Sequence, residues 1–274
     1  MKKTNITHIL MICIIFYLFI IIFPFLWVFV TSFKIEKDIW GDQALKLISD
    51  QPTLDHYKAI FKQNIVNSLK NSLIVSTVTT LYVTFIAALC AYAIARLRFF
   101  GKNIMLSVIL GTSMFPQMII VGPIFNAFER LGLLNSYFVV LPYSTITLPV
   151  AVYILVTHFA KIPKSLEESA DIDGASKMTI FFRIILPLAL PGLFVAAIIT
   201  FISSWNEFLL TLYLNSDRSY QTATVAITFL RGQFEVFWGQ VAAATVVVTI
   251  PTLIMVLLFQ RQIISGLTQG AIKE

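Results

Sequence analysis

The sequence predicts an all-α integral membrane protein with six transmembrane helices, and three observations carry that expectation. The 274 residues are 58% hydrophobic and only 12% charged, against roughly 45–50% and about 25% in soluble globular domains. Six stretches free of Asp, Glu, Lys and Arg exceed the length of about 18 residues expected of a membrane-crossing helix. Within them Ile, Leu, Phe and Val run on continuously, whereas barrel strands would alternate over segments of about ten residues. The same composition excludes an ordinary soluble protein and a disordered chain.

The first span runs from Thr4 to Phe33. It follows Lys2 and Lys3 as a signal peptide would. Its apolar run is longer than the roughly 7–15 residues of such a segment, and no small-residue cleavage site follows, so it is expected to stay as a helix. The next five are Asn71 to Ala95, Asn103 to Phe128, Leu131 to Ala160, Ile184 to Asn206 and Val236 to Gln260. Pro116, Pro123, Pro142, Pro149 and Pro251 interrupt them, with Gly111 and Gly122 close to the first two. Such breaks are either simple kinks or places where backbone lines a cavity. Beside them, Gln117, Asn126, Tyr143 and Ser144, with Thr145 and Thr147, are candidates to hydrogen-bond a neutral polar solute along a translocation pathway. Asn206 and Glu207 join them at the end of the fifth span, although Glu207, following Trp205, reads equally as a solvated carboxylate at the membrane interface.

The whole chain, 1–274, reads as a single transmembrane domain. Lys2, Lys3, Arg96, Arg98, Lys102, Lys161, Lys164, Lys177, Arg183, Arg261 and Lys273 fall on one side of the membrane if both termini are cytoplasmic, and the two short outer loops then hold only Arg130, Arg218 and Arg231. That bias sets the expected orientation and gives the net charge of +6 a topological meaning rather than a nucleic-acid one. The long outer loop, 34–70, dissents with six lysines, but it carries five acidic residues as well. A second outer segment, Asn215 to Phe237, offers Tyr220, Arg231 and Gln233 as groups suited to a protein or sugar surface. The tail, 261–274, is expected in the cytoplasm.

Catalytic chemistry finds little support. Two cysteines and three scattered histidines make no metal-ligand spacing. No phosphate-binding G-x-x-x-x-G-K-[ST] occurs, so this chain is expected to bind no cofactor, and any energy from ATP and Mg would come through a partner. The spans hold no paired catalytic carboxylates or Ser/His/Asp set, so the chain is not expected to be an enzyme.

The most informative segment is the inner loop, 161–187. Ser165 and Glu168 form the pattern of a capping box that opens a helix just after Pro163, and Gly174 is placed to stop it. A second helix follows, apolar at Ile180, Phe181, Ile184 and Ile185, until Leu186-Pro187 leads back into the membrane. Glu167, Glu168, Asp171 and Asp173 offset Lys161, Lys164, Lys177 and Arg183, which suits a protein partner better than an anionic lipid surface.

At these residues the sequence resembles the E-A-A loop of ATP-binding-cassette importer permeases. Glu168-Ser169-Ala170 stands for E-A-A with Ser169 a departure, and Asp173-Gly174-Ala175 and Ile184-Ile185-Leu186-Pro187 match. Thr31-Ser32-Phe33-Lys34, Trp205-Asn206-Glu207-Phe208 and the ending Gly266 to Lys273 are similar to the carbohydrate branch, in its smaller maltose/trehalose-type permeases. The final Glu274 departs from a family that often ends in Gly.

The resemblance implies a type I importer permease fold in the inner membrane of a bacterium or archaeon. It implies a sugar importer, for an α-linked disaccharide such as trehalose or maltose, assembled with a second homologous permease, two ATP-binding subunits and an extracytoplasmic sugar-binding protein, within membrane lipid and without nucleic acid. The inner loop would be its ATPase-coupling helix, with Glu168, Ala170, Asp171, Asp173, Gly174 and Ala175 at the contact. The segment with Tyr220, Arg231 and Gln233 would touch the binding protein. The competing expectation is an ion-coupled secondary carrier, which the nearly charge-free spans disfavour.

Overall fold

The computed structural model describes residues 2–41, 43–47, 49–230 and 235–268, and the regular elements among them are all helices. Within the single domain expected over 1–274, the chain forms two compact units, residues 1–66 with 226–250, and residues 67–225 with 251–274.

The first unit holds α1 (Lys2–Thr31), α2 (Glu36–Trp40), α3 (Asp55–Lys62) and the start of α14 (Trp238–Thr268). Helix α1 is apolar all round, with side chains such as Phe16 and Phe25 exposed on the isolated chain, as suits a helix surrounded by lipid. The connection that follows is folded. Ser32 Oγ donates to Phe29 O at 2.6 Å and meets Tyr57 OH at 2.8 Å, Thr53 N donates to Phe33 O at 2.8 Å, and His56 Nε2 meets Lys34 O at 2.7 Å. Glu36 Oε1 accepts from Gly239 N at 2.9 Å, putting a carboxylate on an orphan donor in the first turn of α14.

The second unit begins with α4 (Ile65–Arg96), which starts six residues before the expected Asn71, so the long loop closes at 64 and not at 70. The third span, expected as one helix from Asn103 to Phe128, is instead α5 (Lys102–Thr112) and α6 (Gln117–Leu131), bent by 91°. Pro116 sits at the N-cap of α6, where it disfavours helical angles in the residue before it, and the two pieces are separated by residues 113–116. A 3₁₀ turn, Tyr137–Val139, leads into α7 (Val140–Lys161). Then come α8 (Ser165–Ile172), α9 (Lys177–Ile180), a π-helical turn over Phe181–Ile185, α10 (Leu186–Leu188) and α11 (Leu190–Trp205). The run 177–188 meets α11 at 77°, so the fifth span, expected as one helix from Ile184, is bent between Leu188 and Leu190. Short helices α12 (Leu209–Leu214) and α13 (Ala223–Thr228) complete this region.

Among the described residues four helices are long and apolar enough to cross a membrane unbroken, at Leu10–Thr31, Ile65–Arg96, Tyr137–Lys161 and Trp238–Gln262, and the two bent pairs bring the number to six if each counts once. Lipid removes the hydrophobic drive for helices to associate, so close packing of small side chains must hold them. The core meets that need with Ala87 and Ala91 on α4, Ala151 and Val152 on α7 and Ala196 on α11. At Gly192 of α11 any Cβ would lie 2.5 Å from Cγ of His158 on α7, so this crossing requires glycine.

Candidate functional site

The inner loop folds as two short helices joined by a tight, fully bonded turn. Gly174 has φ +78°, Ala175 N donates to Ala170 O at 2.9 Å and Gly174 N to Asp171 O at 3.1 Å. This is a Schellman motif with glycine in the left-handed position that an L side chain adopts at a cost. Ser176 then caps α9, its Oγ accepting from Thr179 N at 3.2 Å. The capping box expected at Ser165 and Glu168 does not form. Lys164 already has helical angles and is itself the N-cap, without a side-chain bond, so Ser165 lies one position inside the helix. Glu168 is exposed, and its N–H donates to Lys164 O.

The loop has two faces. Ala170, Ile180, Phe181 and Ile185 are buried against Tyr92 and Ile94 of α4 and Phe159 of α7, with the Tyr92 and Phe181 rings 5.0 Å apart. Ala175 packs on the same cluster from a half-buried position. Facing outward are Glu168, Asp171, Asp173 and Gly174. Large apolar side chains stand among them, with Ile172 87% and Met178 63% exposed. Lys177 Nζ bridges the turn to Asp171 Oδ1 at 2.7 Å, and that carboxylate holds the ammonium above its ordinary pKa. A mixed-charge cleft of about 270 Å³ runs between this face and the end of α4, lined by Arg96, Arg98, Lys164, Glu167 and Glu168 among others.

Arg96 is the residue that sequence reasoning missed. Counted only as a positive charge near the membrane, it is 2% exposed at its side chain, with Nε 3.0 Å from Glu167 Oε1. Its guanidinium also donates to Ile162 O. The last turn of α4 is thereby fixed to both the entry and the first helix of the loop. The sequence signal was an arginine closing a charge-free span, which names no partner.

Of the pathway candidates, the Tyr143 hydroxyl and the Glu207 carboxylate come within hydrogen-bonding reach of each other. Ser144 lines a groove of about 780 Å³ with Val108, Phe115, Ile120 and Thr145, but Gln117 and Asn126 do not. The hydroxyls of Ser144 and Thr145 donate to Leu141 O and Pro142 O of their own helix. Tyr143 is fully buried, its OH 2.5 Å from Thr211 Oγ1. Glu207 is 7% exposed and accepts from Leu210 N at 2.7 Å and Thr211 N at 3.3 Å, so its carboxylate caps α12 and is not solvated. Asn206 is exposed, with its amide donating to Ile202 O.

Tyr220 belongs to a network around three asparagines. Asn71 Nδ2 donates to Ser219 O and Gln221 O, and its Oδ1 accepts from Tyr137 OH. Asn215 Nδ2 donates to Ser136 O and Tyr220 O, while Asn135 Oδ1 accepts from Asp217 N. The Tyr220 and Tyr137 rings meet edge to face at 5.4 Å. Arg231 and Gln233 lie outside the described residues. Among the described residues no three His, Cys, Asp or Glu side chains gather as metal ligands.

Residues 83–268 match the family model described as binding-protein-dependent transport system inner membrane component. Over 259 residues the chain is 40% identical to the trehalose/maltose transport system permease protein MalG of Thermococcus litoralis, covering 93% of this chain and 92% of that one. It is 41% identical over 254 residues to the trehalose transport system permease protein SugB of Mycobacterium tuberculosis, with 91% and 92% covered. Among solved structures, a chain of a bacterial ABC transporter involved in the import of the acidic polysaccharide alginate superposes with a TM-score of 0.74 at 20% identity, covering 95% of this chain and 96% of that one.

Proposed function

The chain belongs to the family of binding-protein-dependent transport system inner membrane components, and from that footing we propose that it is the translocation subunit of an ATP-driven importer of an α-linked disaccharide, trehalose or maltose in type. In this reading it works with a second homologous permease, two ATP-binding subunits and an extracytoplasmic sugar-binding protein, with both termini and the inner loop in the cytoplasm. The observation that carries the mechanism is the outward face of the loop, where Ile172 and Met178 stand exposed along with Glu168 and Asp173 on either side of a turn locked by Gly174. An apolar anchor rimmed by carboxylates suits a basic, partly apolar cleft on an ATPase. Ala170 and Ala175 support that face from behind, and Asp171 pins it through Lys177.

Movement imposed on the loop passes to the spans through two joints. Arg96 and Glu167 tie it to α4, and the buried Phe181 and Ile185 tie it to the core that α7 and α11 share. Closure of the ATPase pair would then rock these helices and alternate access to the solute path. The test is uptake of labelled trehalose and maltose by proteoliposomes holding the complete complex. ATP-dependent uptake of either sugar is expected, and Gly174→Asp should abolish it at unchanged protein level, because an L side chain at φ +78° strains the turn and the new charge sits beside Asp173. Uptake driven by an ion gradient without ATP would overturn the proposal.

A further inference from the structure

The first unit contains a buried ammonium that has no counter-ion among the described residues. Lys34 is 2% exposed, its Nζ donates to Ala44 O at 2.7 Å, and it stands 4.9 Å over the Trp27 ring. Among the described residues it makes no ion pair. Of the described carboxylates close in sequence, Glu36 accepts from Gly239 N and Asp38 from Ser49 Oγ. Removing an ammonium from water with one carbonyl and one ring as company is costly, and an anion held against it would offset that cost.

A cavity of about 350 Å³ is built around this group. Lys34, Ala44 and Trp27 line it, together with Trp40 and Trp238, whose rings meet edge to face at 6.0 Å. Val28, Ile39, Val241 and Ala242 make most of the remaining wall apolar, and Thr31 and Thr245 complete it. Trp27 lies one turn before the end of the Leu10–Thr31 span and Trp238 opens the Trp238–Gln262 span, so each tryptophan marks the place where an apolar helix meets polar chain. That is interfacial depth, where headgroup phosphates lie and where Trp and Lys concentrate.

We propose that this cavity is a lipid site, with Lys34 pairing the phosphodiester of a glycerophospholipid and the tryptophans enclosing its glycerol backbone. The apolar wall would take the first methylenes of the acyl chains. A neutral sugar could stack on the same rings but would leave the ammonium unpaired, so the charge decides between the two. The inference does not depend on the transported solute.

The test uses the full chain, with any subunits that co-purify, delipidated in detergent. Its thermal midpoint is read against added short-chain phosphatidylglycerol, inorganic phosphate and maltose. The lipid should raise the midpoint saturably, and native mass spectrometry should find lipid retained. Lys34→Met, which keeps most of the aliphatic stem, should require about tenfold more lipid for the same shift, and Lys34→Arg should need far less than that. Should Lys34→Met fail to fold, Trp40→Ala serves instead, since that ring is 69% exposed and its loss should weaken the lipid response without unfolding the chain. An equal response to inorganic phosphate would make this a free-anion site, and a response to maltose a solute site. Either result overturns the proposal, as would an unaltered lipid response in the variant tested, or none in the parent.

Discussion

Arg96 shows how much one side chain decides here. Its partner Glu167 is 14% exposed at the side chain, so removing the arginine strands a largely buried carboxylate. Arg96→Ala is therefore expected to destabilise the protein by about 3–5 kcal/mol, while Arg96→Met combined with Glu167→Met recovers most of that loss. Thermal midpoints in detergent check this, and equal losses in the single and double variants would show that the pair is not the cause. Neither Arg96 nor Lys34 was legible as a buried residue. Burial is set by which element folds back over a side chain, and composition around the residue does not record it. Gly174 was legible, because the need for positive φ at a helix stop is a local property of the chain.

At the scale of elements, the loop separates a motif that is present in the letters from one that forms. Ser165-x-x-Glu168 has the right spacing for a capping box, yet Pro163 is followed by Lys164 in helical angles, and the helix begins one residue too early for Ser165 to cap it. The working cap is Ser176 on α9. Ser176→Ala should cost about 0.5–2 kcal/mol and speed amide exchange in α9, whereas Ser165→Ala should leave α8 unchanged. Comparable effects at both serines would restore the capping box. The prolines were legible as interruptions of the spans, but the 91° between α5 and α6 was not, since a proline fixes where a helix stops and its neighbours fix where the next one points.

For the whole molecule, the topology is the open quantity with a direct measurement. The bias of Lys and Arg predicts 161–187 in the cytoplasm and 215–237 outside. Ser176 and Ser216 are both exposed, so each offers a probe in a chain with Cys13 and Cys90 replaced. An impermeant thiol reagent applied to intact cells should label Ser216→Cys and spare Ser176→Cys. The reverse pattern would invert the protein and remove the inner loop from any cytoplasmic ATPase.

The sequence by itself determined the class of the protein, the approximate positions of its spans, the stop at Gly174 and the family, because each of these rests on composition or on residues within one turn of each other. Tertiary structure decided which charges are buried, where the third and fifth spans bend, that Glu207 caps a helix, and that Ala170 faces the core while Ile172 faces out. Asn71 illustrates the reason, since it holds Ser219 and Gln221 about 150 residues further along the chain. Contacts at that separation depend on how helices pack, and in lipid that packing is governed by close fit among small side chains such as Gly192, not by a hydrophobic pattern that can be read along the chain.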